Sequence, residues 1–303
     1  MRAGEKARIE HVLAKLVLGT FGRMRRETAY RAGEIVAAVG YRLARRQRDV
    51  AFHNLRMAFP ELSELDRQRI VREVFSNLGR LLAEFSQFPK LTAENICDVV
   101  EYEGLHNYLE GRGRGRGVLF LTAHIGAWEL SSFAHCLYGY PMKFLTRPLD
   151  NPLIEELITN RRTLSGNQAI SKHGASREVL KALRNNETVG ILVDQNTIRE
   201  EAVFADFFGI PAATTPALAT LALRTGAAVV PGYIHWDRER KRHVLGFEPP
   251  VELRDTGNRQ EDILVNTALF NRILEDRVRR FPGEWLWIHK RWKTRPEGAP
   301  PLY

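Results

Sequence analysis

Cysteine is almost missing from this 303-residue sequence: Cys97 and Cys136 stand far apart, in no CxxC pair and beside no histidine ligand pattern. That excludes a disulfide framework and a zinc site of the usual spacing, and it fits a reducing compartment. No apolar run approaches the ~20 residues that cross a bilayer, and Lys15 interrupts the first candidate. No small-residue cleavage site follows a long enough apolar core, so no cleaved signal peptide is expected. The GxSxG elbow of a serine nucleophile is also missing. So is a nucleotide loop. Glycines 111, 113, 115 and 117 alternate with arginine, carry no Lys-Ser/Thr and precede a strand pattern instead of following one. They read as a flexible basic loop. Neither a metal nor a cofactor is expected.

With 44% hydrophobic residues the chain can bury a substantial core. Its formal charge of +9 points to an anionic partner. Residues 1–60 hold thirteen Lys/Arg against five acids, so eight of the nine net charges lie there. In the same region Ile9, Val12, Leu13, Leu16, Val17 and Phe21 recur at helical spacing, and so do Ile35, Val36, Val39 and Leu43. Two readings fit these basic amphipathic helices: an element lying in a membrane interface, or a helix pair packed on the main domain. Ser63 to Asp66 has capping-box spacing and opens a long core-facing helix that ends before Pro89. Residues 1–90 thus form a basic helical segment, and residues 91–303 an α/β domain.

The most informative stretch is 117–129, GVLFLTAHIGAWE. A short, continuous apolar run bounded by glycine predicts a strand covered on both faces, followed by a turn at Gly126 and a helix start. His124 then sits at the carboxyl end of a strand, the edge where open α/β sheets bind ligands. An imidazole there, with a carboxylate nearby, can act as a general base. Glu129 is five residues on, about 140° away on a regular helix, so the two meet only if His124 remains on the loop. The alternative is a histidine that merely bonds the turn, with Glu129 complementing the helix dipole.

Strand-like and helical patterns then alternate: strands at 142–145, 168–170 and 188–193, helices at 152–164 and 176–184. The alternation predicts βαβ units and a mostly parallel sheet. Parallel strands would bring Arg147 and Asp194, each just past a strand, to the His124 edge. Asp194 there either holds the imidazole tautomer or caps a turn. Residues 212–218 read as a helix start with Thr215 as N-cap and Pro216 at the first helical position, whose amides could receive a phosphate. Segments 228–236 and 243–247 read as strands, and 262–280 as a helix. Residues 282–296 interleave three tryptophans with basic residues and His289, which suits nucleic-acid stacking, a membrane or phosphosugar contact, or a buried aromatic plug.

Together these segments resemble the late acyltransferases of lipid A biosynthesis, the lauroyl/myristoyl transferase family, from about Asn54 to the C-terminus. The resemblance rests on Asn54-Leu55-Arg56 with Phe59-Pro60, on His124 to Glu129, and on Arg147-Pro148 with Asn151-Pro152. Asp194, Ala213-Thr214-Thr215 and the run from Trp287 to Pro296 complete it. It implies a glycerolipid-acyltransferase-like α/β fold, a mostly parallel sheet flanked by helices, and an HxxxxE site at His124 and Glu129. Asp194 matches an acidic position and Arg162 a basic one, with Arg147, Arg162 and Thr215 as candidate substrate contacts. It further implies an acyl carrier protein or acyl-CoA donor and a glycolipid acceptor. The setting it implies is the cytoplasmic membrane surface, peripheral or monotopic, on the cytoplasmic face of the bacterial inner membrane; no nucleic acid is expected. An acceptor that is another phospholipid or glycolipid, or a non-enzymatic nucleic-acid- or membrane-binding protein, are the alternatives.

Overall fold

The computed structural model describes residues 3–171 and 174–303. Three helices open the chain: α1 (Ala3–Arg23), α2 (Arg26–Leu43) and α3 (Arg45–Ala58). The long α4 (Glu64–Gln87) follows, capped as its sequence predicts, with the Ser63 hydroxyl accepting from the Asp66 amide at 3.1 Å.

The alternating region gives β1 (Val100–Glu103), α5 (Leu105–Gly113), β2 (Val118–Thr122), α6 (Trp128–Leu137), β3 (Met142–Thr146), α7 (Pro152–Arg162), β4 (Gln168–Ser171), α8 (Ala175–Arg184) and β5 (Thr188–Leu192). A hairpin, β6 (Val203–Phe207) with β7 (Ile210–Thr214), precedes α9 (Ala217–Thr225), β8 (Ala228–Asp237), β9 (Arg242–Phe247) and α10 (Arg259–Arg280). Seven strands form one sheet in the order β1-β9-β8-β2-β5-β3-β4, parallel at every pairing except β8 with β9. The α/β class with a mostly parallel sheet is therefore as the sequence predicts. Strand β2 is central, and its side chains alternate between two cores: Val118 and Phe120 join one, Leu119 and Leu121 the other. That double cover is why its sequence is apolar without alternation.

Two expectations need correction. The glycine-arginine run is not loop throughout, since α5 continues to Gly113 before the turn into β2. Residues 212–214 are strand, not helix start: they pair antiparallel with 203–205, so the helix cannot begin until the strand is complete. Its N-cap is Pro216, one residue beyond the predicted Thr215, whose hydroxyl lies 3.4 Å from the Ala217 amide.

Helix α2 lies on α4 so closely that a Cβ on Gly33 would stand 2.4 Å from the Gly79 carbonyl oxygen, and one on Gly79 2.2 Å from that of Gly33. Only two facing glycines allow this approach. The contact is pinned by Glu84 of α4, fully buried, whose Oε1 accepts from Arg26 (2.5 Å), Tyr30 and His243 (2.8 Å). Burial alone would raise this carboxyl, but the bonds and charges of His243 and Arg26 hold it down at about 2.

The outward faces of the first two helices are apolar. Ile9, Val12, Leu13, Leu16 and Val17 of α1, and Ile35, Val36, Val39 and Leu43 of α2, are between 39% and 76% exposed. Both helices pack on the main domain, as one of the two readings has it, while their apolar rows stay exposed, as the other needs. No described helix is long and apolar enough to cross a membrane.

Replacing Gly79 with Leu should destabilise the protein by about 1–3 kcal/mol through overpacking. Gly113→Ala, where an added methyl meets open space, should be neutral or slightly stabilising. Thermal unfolding compares the two; a Gly79→Leu protein melting with wild type would mean that the glycine contact does not hold α2 to α4.

Candidate active site

Strands β2, β5 and β3 are neighbours, so their carboxyl ends open onto one edge. His124 lies two residues past β2, where the chain turns toward α6. Gly126 makes that turn at φ +60°, and a Cβ there would fall 2.1 Å from the Ile234 carbonyl oxygen, so only glycine fits. The turn is clamped from the C-terminal strap. Leu286 N donates to the His124 carbonyl (3.2 Å), Gly126 N donates to that of Glu284 (3.0 Å), and Ile125 bridges to Trp285.

Asp194, two residues past β5, receives His124. Its Oδ1 accepts from His124 Nδ1 at 2.8 Å, and its Oδ2 from the His124 backbone amide (3.0 Å) and from Trp285 Nε1 (2.8 Å). The carboxylate is 2% exposed and the imidazole 20%. Burial works against the Asp194 charge, but His124 and the three donors outweigh it and hold the carboxyl at about 2. Burial likewise works against imidazolium, yet Asp194 raises His124 above the ordinary imidazole value of 6.5. The Asp–His bond fixes hydrogen on Nδ1 and leaves Nε2 as the basic nitrogen.

Glu129 is not the partner of His124. It sits in the first turn of α6, and the Arg162 fork at the end of α7 grips it, Nε to Oε2 at 2.7 Å and Nη2 to Oε1 at 2.5 Å. The helical offset that separates positions 124 and 129 sends the two side chains to different partners. Glu129 reaches His124 only as a nearby charge. Arg162 thereby enters the site with two of the five N–H donors of a guanidinium engaged. Arg147, one residue past β3, is exposed and pairs with no described residue.

The tryptophan segment is the buried plug among its three readings. Trp285, Trp287 and Trp292 are at most 1% exposed, leaving no indole open for stacking on bases or lipid. Arg291, fully buried, donates to the Ala213 carbonyl (2.8 Å) and Thr214 Oγ1 (2.6 Å); burial pushes its guanidinium down to about 10. His289 Nε2 accepts from the Asn196 amide at 2.9 Å, and burial drops that imidazole to about 4. Gln195, next to Asp194, brings its amide nitrogen to 3.2 Å from His124 Nε2. Sequence reading did not place Gln195, Trp285 or Arg291 beside the His124–Asp194 pair. Adjacency to Asp194 could have flagged the first; only the fold could reveal the other two. No group of three metal-ligating side chains occurs among the described residues.

The coupling makes a pH prediction. Asp194 lies below its ordinary 3.8, so its contribution to stability is present above about pH 4 and is lost as the pH falls toward 2. His124 lies above 6.5, so its contribution is present below that value and is lost as the pH rises through the folded one. In Asp194→Asn the burial effect is opposed only by the charge of Glu129, which Arg162 counters, and His124 should titrate lower than in wild type. Histidine NMR titration reads this directly; an unchanged His124 in that variant would show that Asp194 does not set its basicity.

Comparison with known proteins follows this geometry. A family described as bacterial lipid A biosynthesis acyltransferase matches residues 11–294. The chain is similar to the lipid A biosynthesis palmitoleoyltransferase of Escherichia coli K12, 29% identical over 272 residues, which cover 89% of this chain and 87% of the relative. It is also similar to the lauroyltransferase of that organism, 29% identical over 275 residues (90% and 88%), and to its myristoyltransferase, 27% identical over 262 (85% and 78%). The chain is an acyltransferase and belongs to the bacterial lipid A biosynthesis acyltransferase family.

Proposed function

We propose that this enzyme moves a fatty acyl chain from an acyl thioester, on acyl carrier protein or coenzyme A, to a hydroxyl of a lipid A precursor, with His124 as general base. The observation that carries the reading is the His124–Asp194 pair at the strand ends: Nδ1 is held by a sealed carboxylate and the imidazole is partly open to solvent. His124 Nε2 takes the hydroxyl proton, and the oxygen attacks the thioester carbonyl. The C–S bond then breaks and the leaving sulfur receives the proton from the imidazolium. No enzyme nucleophile is needed, and Asp194 stays ionised throughout. Arg147, at the same edge and pairing with no described residue, suits a phosphate of the acceptor or of the donor arm. Arg162, gripped by Glu129, serves that role through its remaining donors and fixes the wall beside His124.

The setting is the cytoplasmic face of the inner membrane, held peripherally. Support comes from the exposed apolar rows of α1 and α2, flanked by most of the net positive charge. Helix α1 also docks on α7 beside the site: His11 Nδ1 lies 3.0 Å from the Leu153 carbonyl oxygen, and Asn151 Nδ2 donates to that of Ala7 at 3.0 Å. A water-poor surface limits thioester hydrolysis.

His124→Ala should lower turnover by about 10²- to 10⁴-fold with little change in melting temperature. Wild-type activity should rise with pH through the raised His124 value, above 6.5. Thioester consumption followed by mass spectrometry of the lipid product tests both, and near-normal turnover in His124→Ala would end the general-base mechanism. Arg147→Ala should raise KM more than it lowers kcat, with Lys restoring the contact only in part.

For membrane attachment, point changes on the exposed row are cleaner than deletion, since deleting the segment also removes Arg26 and Tyr30 from Glu84. Val12→Asn with Leu16→Asn should weaken binding to neutral and anionic vesicles alike. Added salt should detach wild type from anionic vesicles only in part, because each basic side chain near the surface contributes ~1 kcal/mol, screened by salt. Equal vesicle binding by wild type and the double variant would refute the anchor.

A further inference from the structure

Gln195 follows Asp194 directly, and its main chain is fixed: the buried Arg291 donates to its carbonyl at 3.4 Å, and the Asn196 amide donates to His289 at 2.9 Å. Its side chain reaches back to the His124 ring. The amide nitrogen lies 3.2 Å from Nε2 and 3.4 Å from Nδ1. Near-equal distances to both nitrogens put the amide over the face of the imidazole, whereas the Nε2 lone pair points outward in the ring plane.

That placement leaves the lone pair open for an acceptor hydroxyl. It also leaves the amide N–H donors uncommitted, since no carbonyl, carboxylate or hydroxyl of the described residues accepts from them. Gln195 is half-buried, so its side chain is open to a substrate at this edge. Arg162, another donor near the ring, directs its Nε and Nη2 at Glu129.

Acyl transfer moves negative charge onto the thioester carbonyl oxygen, which shares its carbon with the attacking oxygen. A donor for that oxygen must stand beside the base yet off the line from Nε2 to the hydroxyl. The amide over the ring face meets both conditions.

We propose that the Gln195 side-chain NH2 is an oxyanion donor: it hydrogen-bonds the thioester carbonyl oxygen as that atom becomes negative, while His124 handles the proton. The proposal deepens the general-base reading and rests on it. The acceptor O–H bond breaks as Nε2–H forms, and the new C–O bond forms as the carbonyl π pair moves onto oxygen, where the amide N–H meets it. The pair then returns to carbon, the C–S bond breaks with its electrons going to sulfur, and sulfur takes the proton from Nε2. The amide neither gains nor loses a proton. Because the main chain of Gln195 and Asn196 is already pinned by Arg291 and His289, the donor needs little reorganisation as the charge develops.

The test is acyl-transfer kinetics across pH, alongside a histidine NMR titration of the full chain in detergent micelles without substrate. Gln195→Met, similar in length but with no N–H to donate, should lower kcat by about 10²- to 10³-fold with KM little changed. Its acid limb should stay in place, with only the plateau falling, and His124 should titrate close to wild type. Gln195→Glu separates the two roles further. Its charge should raise the His124 pKa and make the base stronger, yet the plateau should fall at least as far, because a carboxylate repels the oxyanion.

Near-normal kcat in Gln195→Met would overturn the proposal. So would a loss explained by a moved acid limb, since the amide would then act on His124 and not on the thioester. Should the Met variant fail to fold, the Glu variant decides, and an undiminished plateau there is equally fatal. An active Gln195→Met beside an inactive His124→Ala would remove this proposal and leave the general base standing; near-normal turnover in His124→Ala would remove the general base itself.

Discussion

A carboxylate sealed from water is tolerable only where donors replace the lost hydration, and Asp194 has three within 3.0 Å. They come from two different parts of the chain, the loop after β2 and the strap that follows α10. The charge is therefore a keystone: the two strand ends and the C-terminal segment must be assembled together before Asp194 can ionise in place. What makes His124 basic is also what fixes its position.

The strap explains why an aromatic and basic segment is internal. Trp285 supplies an indole N–H to Asp194 while its ring packs edge-on against Trp287, 4.6 Å between centroids. Arg291 bonds β7 and the Gln195 carbonyl from full burial, a task for a guanidinium, which offers several donors in one plane where lysine has a point charge. Asn54 of α3 ties the strap from behind, its amide donating to the carbonyls of Trp287 (2.7 Å) and His289 (2.8 Å) while Tyr303 donates to its oxygen at 2.6 Å. The Asn54 motif and the Trp287–Pro296 motif, far apart in sequence, form one contact.

How much of this was legible depended on how local the signal is. The run at 118–121 announces a two-sided strand, and the turn at Gly126 follows from needing positive φ next to a crowded backbone. The capped α4 and the alternating strands were equally plain. Partner choice was not. Position 129 is nearest to 124 in sequence, yet the carboxylate that meets His124 comes from position 194, because lateral neighbours in a parallel sheet are set by topology and not by spacing. The β6–β7 hairpin escaped notice because Ala-Ala-Thr-Thr-Pro carries both a helix-start signature and a strand end, and pairing with 203–205 decides between them. Helix α3 does carry a helical stripe, Val50, Ala51, Leu55 and Ala58, but it is narrow, partly of small residues and shared with the buried Asn54.

Helix α2 inverts the usual amphipathic arrangement, and that inversion bears on the proposed membrane setting. Toward the protein α2 presents Ala29, Gly33 and Ala37, small residues that let backbones touch, together with an ion pair to Glu84; toward solvent both helices present branched aliphatic side chains. A helix that owed its place to hydrophobic docking would face the other way. Close backbone packing and a buried carboxylate whose Oε1 accepts from Arg26, Tyr30 and His243 hold α2 in place without its apolar row, leaving that row for another apolar phase. Since α1 is hydrogen-bonded to the start of α7, whose last residue grips Glu129, the plane of such a phase would be fixed relative to the edge that carries His124.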